Sequence, residues 1–102
     1  MDQALIEELD RCWDYEEGFF GRLRQGFFEE ELYQNFIGIL KRITIRTEET
    51  MIPYDLVHLL WYVPLFMEWQ RERVVRVMSN EEYEIKKTNV ENELERIFGV
   101  PI

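Results

Sequence analysis

A chain of 102 residues has material for one small domain and not for two. Hydrophobic residues make up 46% of it and aromatics 15%, which excludes a disordered tail and supplies a core. The formal net charge of −9, from 21 acids against 12 bases, argues against a phosphate backbone or an anionic membrane as partner and suits a basic protein.

The charge is uneven. Residues 1–31 hold ten acids and three arginines, a balance of −7, and the rest of the chain is close to neutral. One cysteine, Cys12, cannot form an internal disulfide and fits a reducing compartment. The N-terminal stretch has acids and no basic-then-apolar pattern, so no signal peptide is expected. The longest apolar run, LLWYVPLFM, is far short of the about 20 residues that span a bilayer. These features together predict a soluble cytoplasmic protein.

Taken in chain order, residues 2–17 set Leu5, Leu9, Cys12 and Trp13 on one helical face with Glu7, Asp10 and Asp14 opposite, and Asp2 suits the N-cap. The next stretch, EGFFGRLRQGFFEE at 17–30, admits two readings. As a connection, Gly18 ends the first helix and Gly26 frees the chain to enter the second. Leu23 and some of the phenylalanines then plug the end of a bundle. As an interface, its Phe and Arg side chains are favoured anchors set among acids that steer a partner. The two are compatible if two phenylalanines turn inward and the others lie near the surface.

Residues 28–43 give a second amphipathic helix through Leu32, Phe36, Ile39, Leu40 and Ile43, with acids at its start and Lys41 and Arg42 at its end, as the helix dipole favours. Gly38 within it suggests a close helix crossing. TIRTEET at 44–50 reads as a connector. From 53 to 78 one apolar stripe runs from Leu56 to Met78 straight through Pro64, which predicts one kinked helix or two nearly collinear ones. Val57, Trp61 and Tyr62 cover the other faces before the proline, so this third helix is expected to be buried at the centre. After it, Glu72 and Arg76 are spaced to pair, and Gln70 on the core stripe requires hydrogen-bond partners. Asn80 is the expected N-cap of a last helix over 81–98, closed by Gly99 and Pro101. The fold class expected is all-α: a single domain over 1–102, a small bundle of about four helices with a Pro-kinked central third helix.

No catalytic constellation emerges. His58 follows Asp55 by three residues, a usable acid–base pair, but no serine or cysteine is tied to it by spacing. One histidine cannot build a di-iron bundle site, and the zinc, calcium-loop and phosphate-loop patterns are absent. No metal, no cofactor and no enzymatic turnover are expected.

Length, acidity, the missing catalytic constellation and the aromatic stretches GFFGRLRQGFF and WYVPLFMEW give a profile that resembles the small acidic bacterial immunity proteins of contact-dependent inhibition and other polymorphic toxin systems. The resemblance implies stoichiometric inhibition, with an acidic face docked on a basic toxin domain, often a nuclease. The contacts it suggests are Glu7, Asp10, Asp14, Glu17, Glu29, Glu30 and Glu31, with Phe19, Arg22 and Arg24 as anchors. The alternative is a regulatory or assembly subunit that pairs with a non-toxin protein.

Overall fold

The computed structural model describes residues 2–46 and 51–101. They form α1 (Gln3–Cys12), α2 (Phe19–Arg24), α3 (Glu30–Lys41), α4 (Tyr54–Leu60), α5 (Val63–Val74) and α6 (Asn80–Phe98). The all-α class stands, with no strand among the described residues, but six helices replace the expected four.

Asp2 caps α1 as anticipated, accepting from the Ala4 N–H at 3.0 Å. The helix stops at Cys12 and not at residue 17. The Asp14 carboxylate takes the N–H groups of Glu16 and Glu17 at 3.1 and 2.9 Å, a local turn that competes with helical bonding. Leu5, Ile6, Leu9 and Cys12 form the buried face.

Within the GFFGRLR stretch, Phe19–Arg24 is itself a helix, α2, with Gly18 at its N-cap. It packs against α1, α3 and α5. A Cβ on Gly18 would lie 2.3 Å from the Cys12 carbonyl oxygen, and one on Gly21 would lie 1.9 Å from that of Asp14. Glycine at both positions is what lets α2 press its backbone on the end of α1. Phe19 and Phe20 are then 1% and 0% exposed. Phe20 stacks on Trp13 at 4.2 Å and meets Phe36 and Phe66 edge-on at 4.8 and 5.7 Å, while Phe19 touches Phe28, Tyr33 and Phe36. Each such buried ring contributes roughly 1.5–3 kcal/mol. Phe27 is exposed and Phe28 half-buried, so two of the four phenylalanines turn inward and the others lie nearer the surface.

In α3 the acids Glu30 and Glu31 occupy the first turn and Lys41 the last. Gly38 is exposed with no atom within 4 Å of a Cβ built there, so it mediates no close crossing. Residues 43–46 are irregular, and the rest of the expected connector, 47–50, lies outside the described residues.

Of the two arrangements expected for this segment, one proline-kinked helix or two successive ones, the chain forms two, α4 and α5, separated at Trp61 and Tyr62, with Pro64 in the first turn of α5. That is where a residue without an N–H costs least. The segment is also not the bundle's centre. Leu56, Leu59 and Leu60 are buried, whereas Val57 and Trp61 are exposed, so α4 is not sheathed all round. Gln70 is buried, but its Oε1 has no hydrogen-bond partner, contrary to the expectation that a core amide is satisfied. The anticipated Glu72–Arg76 pair does not form, because α5 ends at Val74 before Arg76. Arg71 instead binds Glu68 at 2.9 Å, Asn80 at 2.8 Å, and Glu84 on α6.

Ser79, one residue earlier than expected, caps α6 by accepting from the Glu82 N–H at 3.1 Å, and Gly99 closes the helix at φ +81°. α6 lies across α3 and α5. Its Tyr83 hydroxyl donates to the Met67 carbonyl oxygen at 2.7 Å, and Arg96 donates to those of Leu40 and Ile43 at 2.7 and 3.0 Å, capping the end of α3.

Candidate partner-binding surface

The residues expected to contact a partner do not converge. Glu7 and Asp10, exposed on α1, line a cleft of ≈ 410 Å³ between α1 and α4 together with Arg11, Asp55, His58 and Leu59. Asp14 and Glu17 line a separate groove beside Glu8 and Asn35. Glu29 and Glu30 border a third, with Phe27, Phe28 and Val77, and Glu31 is exposed on α3.

Several of these side chains have structural duties. Phe19 is sealed in the core and cannot anchor a partner, since both glycines beside it draw α2 inward. Arg22 is half-buried, bonded to Gln25 and Glu29 at 3.3 Å each, with its guanidinium 4.6 Å from the centre of the Phe27 ring. Arg24 is exposed, its guanidinium 5.2 Å from the Phe66 ring centre, and its carbonyl oxygen accepts from Arg73 at 2.7 Å. Glu30 pairs with Lys86 at 2.8 Å, and the hydrogen bonds from Lys86 and Gln34 hold its carboxyl below the usual carboxylate range.

A different set of residues forms the most coherent exposed surface. Tyr54, His58, Trp61, Leu65 and Trp69 recur at i, i+4, i+7, i+11 and i+15 along α4 and α5, and all are exposed. Tyr54, Trp61 and Trp69 reach 77%, 61% and 64%. Their rings adjoin. Tyr54 stacks on His58 at 5.8 Å, and Tyr62 contacts Trp61 at 5.3 Å and Trp69 at 5.8 Å. A hollow of ≈ 290 Å³ lined by Trp13, His58, Leu59, Trp61 and Tyr62 opens among them. His58 and Leu59 line both this hollow and the acidic cleft, so the aromatic and acidic surfaces are continuous.

The sequence carried a signal for this surface. Trp61, Leu65 and Trp69 make an apolar stripe distinct from the core stripe through Leu60, Val63, Met67 and Val74. Val57, Trp61 and Tyr62 before the proline suggest all-round burial, although an exposed apolar stripe gives the same pattern. Against profiles of known families, curated proteins and solved structures, the chain matches none.

Among the described residues no group of three or more His, Cys, Asp or Glu is placed to hold a metal ion. The cleft around His58 offers the carboxylates of Glu7, Asp10 and Asp55 but no hydroxyl or thiol as nucleophile. The single thiol, on Cys12, is buried, and burial followed by the negative charge of Glu8 pushes its pKa up to about 12, leaving it inert at neutral pH. No helix among the described residues is long and apolar enough to cross a membrane.

Proposed function

We propose that this chain is a binding protein that acts in the cytoplasm by stoichiometric occlusion of a basic protein partner. Its closest functional type is a bacterial immunity protein that neutralises a cognate toxin domain. The observation that carries the binding reading is the run of exposed aromatic rings from Tyr54 to Trp69 set against an acidic cleft. A soluble chain rarely leaves so many large rings together in water without a partner to cover them. The immunity reading adds the profile of a short, strongly acidic chain without a catalytic constellation.

A second reading, a regulatory or assembly subunit, draws on the same rings, because permanent interfaces are the more apolar ones. The test begins with recovering the bound protein from native cell lysate. An immunity protein yields a basic domain that arrests growth when expressed alone and is silenced by equimolar chain. A harmless partner would reject the toxin reading in favour of the subunit. Activity of the chain alone that His58→Ala abolishes would overturn the binding reading.

A further inference from the structure

We infer that the partner docks on the α4–α5 aromatic surface as a cationic amphipathic segment, with a large apolar side chain in the hollow between Trp13, Trp61 and Tyr62 and an arginine or lysine in the α1–α4 cleft. This rests on the binding reading above and names the surface and the mode.

The two recesses differ in character and share a wall. The hollow is lined by indole, phenol, imidazole and leucine, and the cleft by Glu7, Asp10 and Asp55 against a single permanent cation, Arg11. A helix laid along the surface would present apolar groups to the rings and bases to the carboxylates within one or two turns, the pattern of helix-in-groove recognition. A cation beside Trp61 or Trp69 also gains from the ring faces. Desolvated aromatic anchors would set residence time and the carboxylates the association rate.

Charge selects this occupant over a second copy of the chain. A two-fold pairing brings the same patch of two molecules of net charge −9 together, so the carboxylates of Glu7, Asp10 and Asp55 from both copies would crowd into one interface.

All three tryptophans of the chain, Trp13, Trp61 and Trp69, lie on or beside this surface, so their indole N–H signals report on it directly. The experiment titrates the full chain with a synthetic amphipathic helix of leucine and arginine, and separately with its leucine–glutamate counterpart, while recording the indole resonances. The arginine peptide should shift the Trp61 and Trp69 signals and the glutamate peptide should not. Trp61→Ala, or Asp10→Asn with Asp55→Asn, should weaken binding roughly tenfold or more. Glu95→Lys, exposed on α6 and lining neither recess, should change it little. Trp69→Ala serves as the second variant should Trp61→Ala disturb the fold.

Unmoved indole signals, equal binding of both peptides, or indifference to both tryptophan variants would overturn the inference. So would concentration-dependent loss of the free Trp61 and Trp69 signals without peptide, or a shift produced only by neutral lipid vesicles. Once the native partner is in hand, the two readings separate. Full affinity of Trp61→Ala for a basic partner sinks this surface and spares the function. Arginine-peptide binding here beside a native partner that is not basic does the reverse.

Discussion

The indole N–H of Trp13 donates to the carbonyl oxygen of Leu59 at 3.0 Å, joining positions 46 apart in sequence. α4 ends at Leu60, so its last carbonyls fall short of helical backbone donors, and the indole supplies one to Leu59. The same ring stacks on Phe20, so one side chain ties the end of α1 to both α2 and α4. Trp13→Phe keeps an apolar ring and removes the donor. It should cost about 1–2 kcal/mol in denaturant unfolding. An unchanged midpoint would mean the Leu59 carbonyl is served as well by water.

Two glycines in helices have opposite meanings. Gly38 on α3 meets nothing, so Gly38→Ala should stabilise the protein by roughly 0.5–1 kcal/mol through helix propensity alone. At Gly21 the added methyl would drive into the backbone of Asp14 and Tyr15, and α2 would have to lift off the turn that follows α1. Gly21→Ala should cost more than about 3 kcal/mol. Thermal melts of the two variants side by side check the contrast, and equal effects would contradict the packing of α2.

Gln70 is the one buried side chain among the described residues with an orphaned polar atom. Gln70→Leu removes that acceptor while keeping a similar bulk. Its expected effect is neutral to stabilising, by up to about 1 kcal/mol. A large loss of stability in urea denaturation would show that the amide has work the static contacts do not reveal.

Alkaline pH should destabilise the fold, through the Tyr33 phenol, which burial pushes up, and most through two further groups. Burial raises the Cys12 thiol to about 12 and pushes the Tyr83 phenol up from its ordinary range. In the unfolded chain they ionise near about 8.5 and 10. The folded state keeps protons that the unfolded state gives up, so the stabilisation is complete below about pH 8.5 and declines as pH rises from there toward the folded values. Unfolding midpoints across that range should fall, and Cys12→Ala should flatten the first part of the decline. A flat profile for the parent chain would contradict the burial of both groups.

Helical periodicity made the class and most core positions legible, because Leu5, Phe36, Leu56, Met67 and Tyr83 each sit on a stripe that is in fact buried. Periodicity could not separate the two stripes of residues 53–78, since an apolar face covered by a neighbouring helix and one left open spell the same letters. The role of GFFG was hidden for another reason. A glycine is informative only through what approaches it, and Gly18 is approached by the backbone of α1 and Gly21 by that of the turn after it. Asp14 and Arg22 looked like free surface charge, yet one closes a turn and the other pairs with Glu29. Short-range polar bonds of this kind leave no periodic trace.

α6 is synthesised after every helix it fastens. Its Tyr83, Lys86 and Arg96 reach the Met67 carbonyl, the Glu30 carboxylate and the open end of α3. A chain that stopped at Ser79 would lack all three of these fasteners. The protein therefore gains its final rigidity only after α6 has cleared the ribosome, and any partner that depends on a rigid platform has to wait for that moment.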